Sequence, residues 1–119
     1  MKVQYRNPDM SECPTSVEPF ARGQELNPSS EYGVLAVAVY DGVVLFLVID
    51  DLDYPSWAPA WLFRTTDTSI PSDWIGNSFT DWPELLLGPD FIASSQADYQ
   101  KMVELERGKV ALLRERRIG

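Results

Sequence analysis

Three aspartates within one short segment are the side chains of this sequence best placed to do chemistry: Asp50, Asp51 and Asp53. Carboxylates can bind Ca²⁺ or Mg²⁺, which prefer oxygen ligands, and a pair of carboxylates can hydrolyse a glycoside. The spacing does not match an Asp-x-Asp-x-Asp-Gly calcium loop, and a single domain of 119 residues leaves little room for a sugar cleft. We therefore expect these aspartates either to recognise a partner or to solvate the end of a strand.

The rest of the composition offers little catalytic machinery. The chain has no histidine, which removes the commonest general base, the commonest metal ligand and any Ser–His or Cys–His nucleophile pair. Its one cysteine, Cys13, cannot form an intramolecular disulfide, and the sequence has no glycine-rich phosphate loop and no Cys-x-x-Cys motif. We expect a protein that is not an enzyme and that uses neither a metal nor a cofactor.

The charge of the chain is large and unevenly distributed. Of the net charge of −8, residues 1–32 contribute −2, residues 33–98 contribute −9, and residues 99–119 contribute +3. An acidic body repels nucleic-acid backbones and anionic membranes and favours a basic protein partner. The basic residues near the end of the chain, such as Arg114, Arg116 and Arg117, suit the C-terminus of a helix, where cations are stabilised.

The sequence shows no feature of export or membrane insertion. Met1 and Lys2 are followed by polar residues, unlike the apolar core of a secretory signal. The apolar stretch Val34–Ile49 is too short to cross a bilayer and is interrupted by two turn residues. A single cysteine also fits a reducing compartment. We therefore expect a cytoplasmic protein, whose oligomeric state the sequence leaves open.

Aromatic residues follow the aspartates directly, in the segment DDLDYPSWAPAWLF. Trp57 stands between prolines, where we expect it at the surface, whereas Trp61 and Phe63 are expected on one buried face of a strand. Aromatic side chains beside charged groups are typical anchors of protein interfaces. The sequence therefore predicts six contacts with a protein partner: Asp50, Asp51, Asp53, Tyr54, Trp57 and Trp74.

A β-hairpin must position the aspartates. Two apolar runs, Val34–Tyr40 and Val43–Ile49, are separated only by Asp41-Gly42. Asp-Gly between apolar runs is the strongest short signal for a type I′ turn, because both central residues need positive φ. The runs are apolar on both faces, which predicts a cover on each. We expect the C-terminal helix on one face and the opposite side of a small barrel on the other.

The remaining elements are shorter or less regular. We predict, in chain order, an edge strand over Lys2–Arg6, a strand over Trp61–Thr66, a short strand near Trp74-Ile75 and a brief helix over Asp81–Leu87 that Asp81 could cap. A helix from Gln96 to about Arg116 follows; Ser94 or Ser95 opens it, and Ser95 with Asp98 resembles a capping box. Gly108 would bend or break the last helix. Pro55 and Pro59 exclude a regular central strand before Trp61.

These elements predict an α+β protein: a small antiparallel, SH3-like β-barrel or strongly curved sheet with a C-terminal α-helix. The length indicates one domain over residues 1–119. Within it we distinguish a loop-rich segment at 1–30, a β core at 31–80 and a helical part at 81–119.

Five features follow one another between residues 31 and 74: an apolar hairpin (Val34–Ile49), an acidic pair (Asp50-Asp51), a proline–tryptophan loop (Pro55–Trp57), an aromatic-Leu-Phe strand (Trp61–Phe63) and an Ile-Pro-x-x-Trp motif (Ile70–Trp74). Together they resemble small bacterial immunity proteins of polymorphic toxin and contact-dependent inhibition systems that have an SH3-like barrel. The resemblance implies a non-enzymatic protein that binds and neutralises a cognate, basic toxin or effector. Such an inhibitor needs no active site, which agrees with the absence of histidine.

Three other functions are compatible with the sequence. A peptide-binding adaptor with an SH3-like barrel would present Trp57 and a second aromatic residue in a shallow groove for proline-rich ligands. A small enzyme that depends on carboxylates would need a deep pocket holding two acids of raised pKa. A scaffold subunit would assemble through an exposed sheet edge.

Overall fold

Two antiparallel sheets and three α-helices make up the fold, in a computed structural model that describes residues 1–79, 83–104 and 107–118. The strands are β1 (Lys2–Tyr5), β2 (Glu31–Gly33), β3 (Ala36–Tyr40), β4 (Val43–Ile49), β5 (Pro55–Pro59), β6 (Phe63–Asp67), β7 (Ile75–Asn77) and β8 (Leu85–Gly88). The helices are α1 (Asp90–Ala93), α2 (Gln96–Val103) and α3 (Arg107–Ile118).

The larger sheet has the strand order β5-β4-β3-β8-β7 and the smaller sheet has the order β2-β1-β6. The α+β class with antiparallel strands and a helical C-terminal part is therefore confirmed. The expected SH3-like barrel is not found, because the strands within the described ranges form two separate sheets and no closed barrel.

The predicted hairpin is confirmed. Strands β3 and β4 pair with Tyr40 opposite Val43, so that only two residues form the turn. Asp41 and Gly42 have φ angles of 51° and 76°, as this turn requires. The carboxylate of Glu84 accepts the N–H groups of Asp41 and Gly42 at 2.7 and 3.2 Å, which ties the turn to the segment before β8.

Both faces of the hairpin are covered, as its apolar sequence predicts. One face, with Ala36, Ala38, Leu47 and Ile49, packs against helix residues that include Ile92, Met102 and Leu113. The other face, with Phe46 and Val48, packs against Val3, Tyr32 and Phe63 of the smaller sheet. Burying each large apolar side chain contributes about 1.5–3 kcal/mol before entropy costs. The hairpin is therefore the central layer of the molecule.

The brief helix predicted over Asp81–Leu87 is wrong where the structure describes it, because β8 occupies its second half. Leu86 is fully buried on the helix-covered face, and Leu87 pairs with Val37 of β3. Three consecutive leucines suit a helix and a strand equally well, and pairing with β3 decides between them. Asp81, the predicted cap, lies outside the described residues.

Three other strand predictions need correction. The N-terminal strand is not at an edge, because β1 lies between β2 and β6. The strand predicted from Trp61 begins at Phe63, because Ala60–Leu62 form a 3-10 helix. The segment from Pro55 to Pro59 is not only a rigid connection, because it forms β5 at the edge of the larger sheet, where proline is tolerated. The short strand near Trp74 is confirmed as β7.

The predicted C-terminal helix is divided in two. The Ser95 cap is confirmed, because its Oγ accepts the N–H of Asp98 at 3.1 Å at the start of α2. Helix α2 ends at Val103 and α3 begins at Arg107. The interruption therefore falls before Gly108, which lies in the first turn of α3.

A buried lysine fastens α3 to the rest of the fold. Lys109 is only 8% exposed. Its Nζ donates to the carbonyl of Phe91 and to Oδ1 of Asp98, the latter at 3.0 Å, and it lies 5.9 Å from the centre of the Phe91 ring. One cation thus joins three segments, namely α1, α2 and α3.

Replacing Lys109 with methionine should lower the free energy of unfolding by about 2 kcal/mol at neutral pH, because Asp98 then loses its buried partner. The hydrogen bond from Lys109, followed by that from Ser95, holds the pKa of Asp98 below its usual value. The difference between wild type and Lys109→Met should therefore be complete above about pH 4 and shrink as the pH falls through the lowered pKa. Urea unfolding at several pH values measures both effects. Lys101→Met is the control, because this exposed lysine of α2 acts on Asp98 less than the hydrogen bond from Lys109 does, and equal losses in the two variants would contradict the prediction.

Candidate functional site

The buried side chain of Asp50 stabilises the turn that follows β4. This residue is only 6% exposed. Its Oδ1 accepts the N–H groups of Leu52 and Tyr54, both at 3.0 Å, and its Oδ2 accepts the N–H of Glu25 at 3.3 Å. Asp50 therefore shapes the turn, and its carboxylate is not presented to a partner as the sequence interpretation supposed.

The four residues that follow all point towards solvent, and we call them the acidic turn (residues 51–54). Leu52 is 61% exposed and Tyr54 is 59% exposed. Asp51 and Asp53 place two carboxylates beside these apolar groups. Asp53 has a φ of 66°, which aspartate tolerates better than most residues. The acidic turn thus exposes both charged and apolar groups, and hydrogen bonds to Asp50 fix its backbone.

Helix α3 supports the acidic turn through Arg114. The guanidinium donates to the carbonyl oxygen of Asp53 at 2.9 Å, and its Nε lies 3.4 Å from Oδ2 of the same residue in an ion pair. The sequence explained Arg114 by its place near the end of a helix; the structure adds this contact. The charge of Asp53 is therefore partly compensated, which distinguishes it from Asp51.

Trp57 is not the exposed anchor that its flanking prolines suggested. The ring is half-buried against the helix-covered core, and its centre lies 5.6 Å from that of Tyr99. Trp57 pairs with Leu47 in β5, and α2 brings Tyr99 over it. Its indole N–H is buried, with no acceptor among the described residues. Trp57 is therefore a packing residue at the margin of the core.

A cleft of about 820 Å³ brings together Asp51 and Trp74, two of the six predicted contacts. It lies where β2 and the start of the chain meet the end of β4, the segment around Pro71 and the end of α3. Five further polar residues line it: Lys2, Ser30, Glu31, Tyr32 and Arg116. The cleft and the acidic turn share Asp51, so they form one continuous candidate site.

The two carboxylates of the cleft are held by neutral donors. Tyr32 Oη donates to Oδ1 of Asp51 at 2.7 Å, and Thr66 Oγ1 donates to Oε2 of Glu31 at 2.6 Å. Burial, followed by the bond to Asp51, raises the pKa of Tyr32 to about 12, so the phenol keeps its proton at neutral pH. Among the described side chains, neither carboxylate has a salt-bridge partner. Both are therefore fixed in position without being neutralised.

The cations of the cleft have acidic neighbours of their own. Arg116 donates from both terminal nitrogens to Asp73, at 2.7 and 2.9 Å, and this pair lowers the pKa of Asp73. Lys2 lies opposite Asp67 in the backbone register of the smaller sheet, with no salt bridge between them among the described side chains. The hydroxyl and amide of Ser69 hold the pKa of Asp67 below its usual value, and the charges of the N-terminal amine and Lys2 lower it further. The cleft therefore carries groups of both signs, of which Arg116 is bound directly by Asp73.

Replacing Tyr32 with phenylalanine should lower the free energy of unfolding by about 1 kcal/mol, because its hydroxyl both donates to Asp51 and accepts the N–H of Asn27 at 2.7 Å. Thermal or urea unfolding measures this loss. Tyr54→Phe removes an equivalent hydroxyl from the exposed turn and serves as the control. A Tyr32→Phe variant as stable as wild type would mean that the hydroxyl does not hold Asp51.

Sequence reasoning missed Glu31, Tyr32, Asp73 and Arg116. The alternation of Glu31, exposed, and Tyr32, buried, is the pattern of a short strand, but three residues give a weak signal. The Arg116–Asp73 pair joins positions 43 residues apart, and no local pattern predicts such a contact. Only the folded chain brings Glu31, Tyr32 and Arg116 to the cleft and Asp73 to Arg116.

The described ranges contain neither a metal-binding cluster nor a membrane-spanning helix. Within residues 1–79, 83–104 and 107–118, no group of three or more Cys, Asp or Glu side chains could hold a metal ion. In the same ranges, no helix has the length and apolar character needed to cross a bilayer. Comparisons with protein-family models, curated proteins and solved structures found no match to this chain.

Proposed function

We propose that this chain is a non-enzymatic inhibitor, of the immunity type, that binds and neutralises a basic toxin or effector protein in the cytoplasm. One observation carries the proposal: the acidic turn exposes two carboxylates and two large apolar side chains on a backbone that the buried Asp50 holds in place. A rigid loop loses little conformational entropy on binding, which favours affinity. Apolar anchors surrounded by charge are the arrangement that protein interfaces use.

The electrostatics support a basic partner. The net charge of −8 speeds association with a positively charged surface and disfavours competing acidic proteins. It equally disfavours nucleic acid and anionic membranes as ligands. Many secreted toxins that act on nucleic acid carry basic surfaces, which an acidic inhibitor can cover. The resemblance to immunity proteins, which covers residues 31–74, suggests the same role.

A growth-protection assay tests the proposal. Any effector domain found encoded beside the gene for this chain is expressed in bacteria alone, with this chain, and with a chain carrying Leu52→Ser and Tyr54→Ser. We expect the wild-type chain to restore growth and to co-purify with the effector, and the double variant to do neither. The exposure of both side chains lets the variant fold. A wild-type chain that neither protects nor forms the complex would contradict the proposal.

A peptide-binding adaptor is the second candidate, and a specific groove favours it. Tyr54 and Pro55 face α3 across a groove of about 300 Å³, to which Arg107 and Arg114 contribute. Proline-rich ligands bind between aromatic rings, and Tyr54 is the one ring that lines this groove in the described part of the chain. We therefore rank the adaptor second. Titration with a proline-rich peptide, followed at Tyr54, distinguishes the two functions.

The carboxylate-dependent enzyme has less support. Such an enzyme needs an acid whose pKa is raised towards neutrality. Near the cleft, the hydrogen bonds from Ser69 and Arg116 lower the pKa values of Asp67 and Asp73 respectively. These shifts are opposite to what a general acid requires.

A further inference from the structure

We infer that two copies of this chain pair about a two-fold axis, with the acidic turn of each copy bound in a basic groove of the other. The basic groove lies between the start of β5 and helix α3, and it is lined by Tyr54, Pro55, Arg107, Val110, Ala111 and Arg114. The pairing does not depend on the proposed function, but it covers the surface that the proposed function uses.

The basic groove combines positive charge with an apolar floor. Both charged residues that line it are arginines, in a chain whose net charge is −8. Arg107 is exposed and forms no salt bridge with any described side chain. Pro55 and Val110 are buried beneath the groove. A large apolar side chain flanked by carboxylates complements this surface in both polarity and charge.

The acidic turn has the complementary composition. Leu52 is 61% exposed and lies between Asp51 and Asp53 in the sequence. The N–H of Asp53 donates to the carbonyl of Asp50 at 3.0 Å, so Asp51 and Leu52 form the projecting corner of a β-turn. The groove volume of about 300 Å³ is at the lower end of the range for ligand sites, which suits one large side chain. A second copy of this chain therefore supplies a ligand that matches the groove.

The positions of the acidic turn and the basic groove allow a two-fold contact. Tyr54 belongs to both, and Nε of Arg114 in the groove lies 3.4 Å from Oδ2 of Asp53 in the turn. Because a two-fold interface uses the same patch on both copies, adjacent complementary features can each meet their complement on the other copy. Such an interface is closed after two copies and forms no filament.

The acidic character of the chain does not prevent this pairing. The contact surface of each copy contains two acids, Asp51 and Asp53, and two bases, Arg107 and Arg114, so its own charge is balanced. Acids elsewhere on the two copies repel one another, but salt at physiological strength screens exposed charges that are more than about 8 Å apart. The local attraction between turn and groove therefore determines how the copies meet.

Cross-linking between chosen positions tests this geometry. Two chains are made in a Cys13→Ser background, one with Leu52→Cys and the other, which carries an affinity tag, with Ala111→Cys. After mixing, a short bis-maleimide reagent should link position 52 of one copy to position 111 of the other. A tagged Glu12→Cys chain replaces the Ala111→Cys chain in the control, because Glu12 is exposed and lies outside the groove. We expect far less heterodimer with this control.

Sedimentation velocity at increasing chain concentration measures the monomer–dimer equilibrium. We expect wild type to dimerise, and Arg107→Glu to have a dissociation constant at least about tenfold higher, because glutamate repels the acidic turn of the other copy. Arg22→Glu changes the net charge equally at an exposed site outside the groove and should dimerise as wild type does. Both substitutions are at exposed positions, so both variants should unfold at the same urea concentration as wild type.

Three results would overturn the inference. The first is a wild-type chain that stays monomeric at millimolar concentration. The second is a dimer that Arg107→Glu weakens no more than Arg22→Glu does, because the groove would then lie outside the interface. The third is a cross-link from position 52 that forms as readily to position 12 as to position 111.

The outcome is separable from that of the proposed function. If the inhibitor function holds as well, pairing regulates it, because one acidic turn cannot bind a second copy and the effector at the same time. If the chain dimerises as described but protects against no effector, the pairing stands and the inhibitor function fails. If a chain that is always monomeric neutralises its effector, the pairing fails and the inhibitor function stands.

Discussion

An Asp50→Ala variant should lose about 3 kcal/mol of unfolding free energy, because one buried carboxylate accepts three backbone N–H groups. Alanine leaves those three N–H groups without the carboxylate that accepts them, and that carboxylate belongs to a residue that is only 6% exposed. The turn would then lose the geometry that presents Asp51 and Tyr54. Urea unfolding at neutral pH, followed by tryptophan fluorescence, measures the loss.

Asp50→Asn is the matched control for this prediction. Its side-chain oxygen can still accept the N–H groups of Leu52 and Tyr54, while its amide group faces the N–H of Glu25. We expect a loss of about 1 kcal/mol, which is clearly smaller than that of the alanine variant. If both variants are as stable as wild type, Asp50 does not stabilise the turn. The backbone of the proposed site would then not be fixed by these hydrogen bonds.

Charge reversal at Asp51 should weaken the complex with the basic partner about 100-fold, or about 2.7 kcal/mol. Lysine at this position removes the acceptor of the Tyr32 hydroxyl and repels the cationic group of the partner. Like charges brought together at an interface cost several kcal/mol, so the effect should exceed that of neutralisation. Calorimetric titration of the purified effector with each variant measures the affinity.

Glu12→Lys changes the net charge by the same amount at an exposed site outside the cleft and the acidic turn. We expect its affinity to fall less than about threefold, because distant charges are screened at physiological salt. Equal losses for Asp51→Lys and Glu12→Lys would show that only the net charge matters. In that case the acidic turn would not be the binding surface.

The hairpin could be predicted because its information is local. Asp41-Gly42 supplies the positive φ angles, and the apolar runs on either side supply strands that are buried on both faces. The sequence also predicted that each face of the hairpin is covered. It did not predict that the smaller sheet covers the second face, because the pairing of β1 with β6 joins residues about 60 positions apart. The sequence therefore indicated a barrel or a strongly curved sheet, whereas the described strands form two sheets.

The sequence predicted which types of residue form the site, but it did not predict which of them are buried and which are exposed. Asp50 and Asp51 are identical neighbours in the sequence, and yet one is buried in the turn and the other lines the cleft. The backbone N–H of Glu25 helps to make this difference, and it comes from 25 residues earlier in the chain. The burial of Trp57 could not be predicted from its neighbours either, because it depends on Tyr99, which lies 42 residues later in the sequence.

The basic end of the chain has a role that its helical pattern did not indicate. Arg114 contacts Asp53, Arg116 contacts Asp73, and Lys109 contacts Asp98. The positive residues of α3 thus bind selected acids of the acidic body. Asp51 and Glu31 form no salt bridge with any described side chain.

The most direct test of the account is a parallel affinity capture from the organism that encodes this chain. Wild type, Glu12→Gln, and the chain with Glu31→Gln and Asp51→Asn are immobilised separately, exposed to lysate at low salt and eluted with about 0.5 M salt, at which exposed charges are strongly screened. We predict one basic protein that is retained by wild type and by Glu12→Gln and is absent from the double variant. The same proteins on all three columns, or no basic protein on any, would contradict the account.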